Sequence, residues 1–497
     1  MKKFKALWHN FDKKVSRIPK LVIISGFLVL TLRLPSLFEP CWYGDEGIYL
    51  TLGQEIRQGQ MLYRDVHDNK PPLLYLLAAA AGNVFWFRFI LLFWMLATTL
   101  LFFKLVEEIF PKKKQLQSLL TFAFVILTSI PAFEGNIANA EIFFIGLIIA
   151  GFWAFLKKKH LWAGFLLGLS FLFKSPPLFD FGSLLVFSLL TALSEKKLKE
   201  SFKKVVLPMC GGFLLPFLAT IIYYSSQGAL FYYIKSAFLL NFPYLSSWGD
   251  SGKSILANGL FQRGLILLAF LVLIFWQRKK LLCRPITLLT SLWLSFALFG
   301  ALLSGRPYPH YLLQVVAPLL IVLAIISFDF SLFLKKKIFL LLFLPVFLVP
   351  GAFFAYHFYT YPTLKYYKNF AQFVLRKKTR SDYCSWFDSR VNRNYRLAEF
   401  IRTSVPRKER IFIWGNEPCI YALSHRLPVG RYTVAYHIID FDGYEETMAA
   451  MLEQPPRLIV LVPFDKPFPE LYAFLKSHYL VISEDDGATV WYRRSFN

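Results

Sequence analysis

Cysteine is scarce in this sequence, and charged residues are few. The five cysteines stand singly along 497 residues, and none has the paired spacing of a metal-binding or redox motif. They therefore identify neither a metal site nor a cellular compartment. Charged residues make up only 18% of the chain, whereas 56% is hydrophobic and the mean hydropathy is +0.47. This composition excludes a soluble protein, and most of the chain is expected to lie in a lipid bilayer.

Acidic residues are the scarcer of the two charge types. The 31 Asp and Glu residues are outnumbered by 56 Lys and Arg residues, which gives a formal net charge of +25. In a soluble chain this excess would suggest nucleic-acid binding, but here the basic residues fall in short clusters between apolar segments. Basic clusters between membrane spans mark cytoplasmic loops. The charge pattern therefore predicts membrane topology, and no nucleic-acid partner is expected.

Long apolar runs predict about eleven transmembrane helices, because about twenty residues are needed to cross a bilayer. The predicted spans are residues 21–37, 86–107, 116–132, 141–156, 161–173, 177–193, 205–224, 259–277, 285–303, 311–328 and 338–356. The first span follows a basic segment and lacks a small-residue cleavage site, which favours an uncleaved signal anchor. Six basic clusters each follow an even number of spans. The sequence thus predicts a multi-pass protein of the plasma (cell inner) membrane with a cytoplasmic amino terminus.

The composition changes after residue 356 to mixed charge and ordinary hydrophobicity. A transmembrane catalytic domain is therefore predicted for residues 1–356 and an extracytoplasmic α/β domain for residues 357–497. Strands are predicted at 410–415, 457–464, 479–483 and 489–494, with helices at 392–404, 444–453 and 468–477. This second domain has no glycine-rich phosphate loop and no nucleophile elbow, so catalysis is expected in the membrane domain.

The best candidate for chemistry is the first outer loop, residues 38–85, which follows the first span. Its stretch CWYGDEGIYLTLGQEIRQGQMLYRDVHDNKPP contains the adjacent acids Asp45 and Glu46 together with Tyr49 and Lys70. A carboxylate in hydrocarbon would cost about 3 kcal/mol, so these acids must face water, a cation or a reacting group. A Pro-Pro pair ends the stretch and begins the next apolar helix.

Other loops on the same predicted side supply further functional groups, because the alternation of spans sorts residues by side. They are Glu134 and Glu141 between the third and fourth spans, Lys174 after the fifth, and Arg306 and His310 before the tenth. Of these, Glu134 is expected to be solvated. Acids on one loop with isolated cations on others suit a reaction in which a neutral hydroxyl attacks while an anionic phosphate departs.

Each role in such a reaction needs a particular charge. A carboxylate such as Asp45 can accept the proton of the attacking hydroxyl as a general base. Lys70, Lys174 or Arg306 can stabilise the charge that develops on the phosphate, most strongly where water is excluded. Simpler roles remain open, namely a solvated loop for the acids, lipid-headgroup contacts for the cations and an aromatic pair for His310.

Several short motifs in these loops occur together in one known superfamily. They are YGDEGIY at the acidic pair, DNKPPL at the end of the first loop, NAE at Glu141 and FKSPP at Lys174. SGRPYPHYLLQVVAP and the carboxy-terminal WGNEPCIYALSHRLPVGRY are also similar to segments of bacterial members. On these motifs, nearly the whole chain resembles the GT-C superfamily of integral-membrane glycosyltransferases, near its protein O-mannosyltransferase and aminoarabinose transferase branch.

The resemblance implies both a fold and a reaction. The expected fold is an α-helical polytopic membrane protein of the GT-C type with a carboxy-terminal extracytoplasmic α/β domain. The expected reaction moves a sugar from a polyprenyl-phosphate carrier to a lipid, glycan or protein acceptor outside the cytoplasm. The resemblance also implies inversion at the anomeric carbon.

The resemblance assigns roles to particular residues. The implied catalytic residues are Asp45 as general base, with Glu46 or Glu141 orienting the acceptor or holding a cation. The implied contacts to the carrier phosphate are Lys70, Lys174, Arg306, His310 and Tyr49. A divalent metal ion is left open, with Asp45 and Glu46 as its ligands if one binds, since lysine and arginine can neutralise a single phosphate.

Two other functions are alternatives to this enzyme, a lipid-linked sugar transporter or flippase and a surface-polysaccharide polymerase or ligase. A transporter predicts internally repeated halves and charges buried in the middle of spans. The sequence shows neither clearly, because its ionisable residues concentrate near the predicted outer edge. The acidic pair directly after the first span separates the glycosyltransferase from the polymerase or ligase.

Overall fold

The computed structural model describes residues 20–242, 258–335 and 337–494. The basic amino-terminal segment that the topology prediction uses lies outside these residues. The larger part of the described chain is helical. Its helices are α1 (Lys20–Arg33), α2 (Gly44–Arg57), α3 (Leu73–Ala81), α4 (Val84–Ile109), α5 (Lys114–Ser129), α6 (Ala140–Leu156), α7 (His160–Phe171), α8 (Pro177–Ser194), α9 (Leu198–Ser226), α10 (Leu230–Leu239), α11 (Gly259–Leu281), α12 (Pro285–Ala301), α13 (Leu313–Lys335) and α14 (Leu344–Ala355).

Every predicted span overlaps one of these helices. Among the described residues, five helices are long and apolar enough to cross a membrane, namely α4, α8, α9, α11 and the segment Pro309–Phe328 that includes most of α13. The others are shorter and pack between or beside them. The protein is thus a multi-pass membrane protein, as predicted, while the count of eleven spans stays a prediction.

The break between α3 and α4 follows from two neighbouring residues. Gly82 has a φ of +76°, which a residue with a side chain rarely adopts, and this left-handed residue ends α3. The side chain of Asn83 then accepts a hydrogen bond from the backbone N–H of Trp86 and caps α4. The first loop therefore contains two helices, α2 and α3, before the first long apolar helix begins.

Helices α7 and α9 cross closely because glycines line their contact. A Cβ atom at Gly164 would lie 1.9 Å from the carbonyl oxygen of Met209, and one at Gly212 would lie 2.0 Å from that of Leu161. Gly164 and Gly168 stand four residues apart on α7, as in the small-residue interfaces of membrane helices. In lipid such an interface gains its stability from close backbone packing.

The carboxy-terminal part combines helices with one small sheet. It contains α15 (Thr363–Val374), α16 (Arg380–Ser385), α17 (Val391–Ser404), β1 (Phe412–Trp414), α18 (Cys419–Ser424), α19 (Ala435–Asp440), α20 (Tyr444–Glu453), β2 (Leu458–Leu461), α21 (Pro469–His478), β3 (Tyr479–Asp485) and β4 (Ala488–Arg493). Each of the four predicted strands and three predicted helices overlaps one of these elements. The domain boundary at residue 356 stays a prediction.

The strand order is β1-β2-β4-β3, with β1 parallel to β2 and the other neighbours antiparallel. Asp486 and Gly487 join β3 to β4 with φ values of +45° and +75°, which suits the two-residue turn of a hairpin. Alternate residues of β1 enter different apolar clusters, Ile413 on one face and Phe412 and Trp414 on the other. The sheet is therefore covered on both faces.

Prediction for the α7–α9 contact. Gly212→Ala should lower the free energy of unfolding by about 2 kcal/mol, because the added methyl group meets backbone that cannot yield. Gly211→Ala is the matched control, since no described atom lies within 4 Å of a Cβ built there. Thermal unfolding of the purified protein in detergent measures both variants. Equal stability of the two variants would contradict this account of the helix contact.

Candidate active site

The two acids of the first loop lie in the first turn of α2, which begins at Gly44. Successive residues of an α-helix point about 100° apart, so neighbouring side chains face different surroundings. Asp45 and Glu46 show this directly. The side chain of Asp45 is 35% exposed, whereas that of Glu46 is completely buried.

Asp45 is held by two neighbours. The hydroxyl of Tyr49, one helical turn further along α2, donates a hydrogen bond of 2.7 Å to Asp45 Oδ2. Lys70 Nζ lies 3.8 Å from the same oxygen and 5.0 Å from the centre of the Tyr49 ring. The three side chains thus form one cluster in which a partly exposed carboxylate lies beside a cation.

Glu46 points the other way, into the protein. Its two oxygens accept hydrogen bonds of 3.0 Å and 2.5 Å from the guanidinium of Arg88 on α4, and Oε1 also accepts from the backbone N–H of Ala138. Arg88 further donates to the carbonyls of Ser36 and Glu39. Contact of Glu46 with an acceptor or a metal ion would require these hydrogen bonds to break, whereas in this structure they hold α2 against α4.

A second pair of charges lies where α6 begins and α7 ends. Glu141, in the first turn of α6, accepts a hydrogen bond of 2.5 Å from Lys174 Nζ. Lys174 also lies 4.2 Å from the centre of the Tyr311 ring. His310 Nε2 is 4.0 Å from Glu141 Oε2. Four side chains from three predicted loops therefore meet here.

Glu134 lies next to His310 and so adjoins this pair of charges. It is buried, it is hydrogen-bonded to His310 Nδ1, and it accepts a hydrogen bond of 3.1 Å from the hydroxyl of Tyr43. The expectation that Glu134 is solvated is therefore wrong. The carboxylate is bonded to Tyr43 and His310, and the residue itself, with a φ of +54°, ends a short turn after Pro131.

Both clusters open into one cavity of about 730 Å³. Seven of the eight residues predicted for catalysis or phosphate binding line it, and Glu46 is the exception. The seven are Asp45, Tyr49, Lys70, Glu141, Lys174, Arg306 and His310. Apolar side chains such as Phe171, Leu178 and Phe238 line another part of the wall. The cavity thus offers a charged region and an apolar region to one ligand.

Further polar residues of the cavity wall were not predicted as site residues, and they include Asp68, His437, Asp440 and Asn241. Asp68 is buried, and its Oδ1 lies 3.9 Å from His437 Nε2. Burial opposes ionisation of Asp68, yet Lys70 and then His437 outweigh it and place its pKa below the usual value. The position of Asp68 two residues before Lys70 could have indicated it. His437 and Asp440 carry no sequence signal, because they reach the cavity through the packing of α19.

The carboxy-terminal domain reaches the cavity because it packs directly on α2. A Cβ atom at Gly47 would lie 2.8 Å from the backbone nitrogen of Cys419, so α2 and α18 are in backbone contact. Arg410 donates hydrogen bonds of 2.9 Å and 3.1 Å to the buried carboxylate of Glu55. Arg431 donates one of 2.6 Å to the carbonyl of Tyr63. These contacts make the first loop the junction between the two domains.

The acidic pair does not fit a metal ion as its ligands. Both oxygens of Glu46 are engaged by Arg88, and Asp45 lies on a different face of α2. Within residues 20–242, 258–335 and 337–494, no group of three or more His, Cys, Asp and Glu side chains could hold a metal ion. The metal ligation by Asp45 and Glu46 considered from the sequence therefore finds no support in this geometry.

A solved structure superposes on nearly the whole chain. The crystal structure of ArnT from Cupriavidus metallidurans bound to undecaprenyl phosphate gives a TM-score of 0.53 at 11% identity, covering 95% of this chain and 97% of that chain. The apo structure of the same protein gives 0.52 at 14% identity, with the same shares of 95% and 97%. The chain has an ArnT-like fold.

This ArnT-like fold confirms the predicted fold class of apolar helices followed by a small carboxy-terminal sheet. A structure of the oligosaccharyltransferase AglB from Archaeoglobus fulgidus, in complex with an inhibitory peptide and a dolichol-phosphate, aligns with a TM-score of 0.44 at 13% identity. It covers 92% of this chain and 70% of that chain. No protein-family model and no curated protein matches the sequence.

Prediction for the acidic pair. Glu46→Gln should lower the free energy of unfolding by about 3 kcal/mol, because it breaks the bidentate ion pair of the buried Arg88 guanidinium and leaves it only the Glu39 carboxylate, 3.8 Å away. Asp45→Asn should change the same quantity by less than about 1 kcal/mol, since the Asp45 side chain is partly exposed. Denaturant or thermal unfolding in detergent measures the difference. If Glu46→Gln and Asp45→Asn lost the same amount of stability, Glu46 would not be the residue that positions α2.

Proposed function

We propose that this protein is an integral-membrane glycosyltransferase that moves a sugar from a polyprenyl-phosphate carrier to an acceptor hydroxyl on a lipid, a glycan or a protein. The observation that carries the proposal is the single cavity in which carboxylates and cations from separate loops meet beside an apolar wall. The likeness of the fold to ArnT, whose crystal structure contains undecaprenyl phosphate, supports the choice of carrier.

The transfer step assigns one role to each charge. The acceptor oxygen attacks the anomeric carbon while the bond between that carbon and the phosphate oxygen breaks, and the phosphate leaves with the bonding electron pair. Asp45 accepts the acceptor's proton as general base. Because attack and departure occur on opposite sides of the anomeric carbon, the product has inverted configuration. The reaction is thereby balanced without a further reactant.

Cations of the cavity stabilise the departing phosphate. Lys70 Nζ lies 3.8 Å from Asp45 Oδ2, and its positive charge stabilises a phosphate that departs on the side of the anomeric carbon away from Asp45. Arg306 and Lys174 line the same cavity and add positive charge. Lys174 Nζ lies 2.5 Å from Glu141 Oε1. This ion pair partly neutralises the ammonium charge of Lys174 and fixes the position of its side chain. His310 and Tyr49 also line the cavity, next to the carboxylates of Glu141 and Asp45, respectively.

The apolar part of the wall suits the carrier's hydrocarbon chain. Phe171, Leu178, Phe179 and Phe242 line the cavity and belong to or adjoin apolar helices. A polyprenyl chain can therefore lie against the helices while its phosphate reaches the charged residues. We propose that the end of the helix bundle that contains the cavity lies at the outer face of the plasma membrane. The basic clusters of the sequence favour a cytoplasmic position for the loops at the opposite end.

Prediction for the general base. Asp45→Asn should lower kcat for sugar transfer by about a hundredfold or more while the protein still binds the carrier, because the amide cannot accept the proton. The measurement is mass spectrometry of acceptors after incubation of the purified enzyme with a polyprenyl-phosphate sugar.

The control for this prediction is Asp442→Asn. Asp442 is exposed, lies outside the cavity and has a φ of +52°, a conformation that asparagine tolerates. It should transfer sugar at the parental rate. Parental activity of Asp45→Asn would refute the assignment of the base. If lipid-linked sugar crossed the membrane without any transfer product, the transporter would be favoured instead.

A further inference from the structure

A second cavity, of about 830 Å³, lies apart from the one described above. The carboxy-terminal end of α2 forms one wall with Arg57. The α3–α4 junction and the first turns of α4 form another with Gly82, Trp86 and Ile90. The carboxy-terminal domain closes it with Arg407 and His425. None of these residues takes part in the transfer step.

The ionisable groups that line this cavity are all basic. They are Arg57, Arg407 and His425, and no carboxylate is among the described lining residues. Burial, and then the positive charges of Arg407, Arg426, Arg402 and Arg57, lower the pKa of His425, which places four guanidinium groups near one imidazole. Such a concentration of one charge sign attracts anions, and arginine binds phosphate through paired N–H groups.

Two of these arginines are already engaged within the carboxy-terminal domain. Arg426 donates hydrogen bonds to the carbonyls of Arg402 and Val405, and Arg402 is paired with Glu399. Arg57 and Arg407 instead are exposed at the cavity wall. Arg57 comes from α2 and Arg407 from the carboxy-terminal part of the chain, yet they line the same cavity and both lie near His425.

The cavity lies at the boundary between membrane and water. It adjoins the first turn of α4, a helix long and apolar enough to span a bilayer, and Trp86 there is 49% exposed. Trp86, Ile90 and Phe93 are spaced four and three residues apart, so they lie on one face of α4. Phe93 is 54% exposed, and Leu100, two turns further on, is also exposed. An apolar stripe therefore runs from the basic cavity into the hydrocarbon region.

We propose that this cavity binds the headgroup of an anionic membrane lipid, with Arg57 and Arg407 contacting its phosphate and an acyl chain lying along the Trp86, Ile90 and Phe93 face of α4. The basic rim supplies the charge that the headgroup requires, and the stripe supplies the surface that its chain requires. The site is separate from the carrier cavity, and it links the first loop to the carboxy-terminal domain through a bound lipid.

The test measures binding of a fluorophore-labelled phosphatidylglycerol to the purified full chain in neutral detergent. The double variant Arg57→Gln and Arg407→Gln should weaken binding about tenfold or more. The matched control, Lys365→Gln with Lys408→Gln, removes the same charge from exposed positions outside the cavity and should bind like the parent. Equal weakening in both double variants would mean general electrostatic attraction and overturn the site.

Two further arms identify the ligand and separate this site from the proposed transfer function. Trp86→Ala should also weaken binding of the labelled lipid, whereas inorganic phosphate should compete poorly. If inorganic phosphate displaced the lipid efficiently and Trp86→Ala had no effect, the site would bind free phosphate and the lipid proposal would fail. Binding of undecaprenyl phosphate to the double variant should stay at the parental level, which also shows that the variant is folded. Its loss would overturn the separation of the two cavities.

Discussion

The buried contact between Arg88 of α4 and Glu46 of α2 fixes the geometry on which the site depends. One guanidinium binds both oxygens of Glu46 and three carbonyls of the chain before α2. Removal of Arg88 would leave the buried carboxylates of Glu46 and Glu39 without their shared cation in a medium of low dielectric constant. Glu46 is held inward, and Asp45, at the preceding position and about 100° around the helix, faces the cavity. The buried ion pair thus helps to orient the exposed carboxylate.

Other charged side chains of the site also lie close to partners within the protein. Lys70 lies beside Asp45 and Tyr49, and Lys174 lies beside Glu141 and Tyr311. Such pairs keep the charges stable at the edge of a bilayer when no substrate is bound. They also leave positions that an anionic carrier can share. The carboxy-terminal domain adds His437 and Asp440 from above α2, so the cavity belongs to both parts of the chain.

Topology explains why much of the site could be predicted from sequence. Alternating apolar spans sort loops by side, and the residues chosen from those loops, such as Lys70, Lys174 and Arg306, line one cavity. Which acid of the pair faces the cavity could not be predicted so easily, since this depends on which of Asp45 and Glu46 has a buried partner. Arg88, a lone charge within an apolar run, was the available signal for that partner. His437 depends on domain packing, which no local pattern encodes.

The most direct measurement of the central claim is a cryo-electron microscopy structure of the protein with undecaprenyl phosphate. The phosphate should lie within about 3 Å of a Lys70, Lys174 or Arg306 nitrogen, with its hydrocarbon chain against the apolar wall. Asp45 should still line the cavity, close enough to accept a proton from an acceptor bound beside the sugar position. A phosphate bound elsewhere, with these cations still paired only to protein groups, would contradict the account.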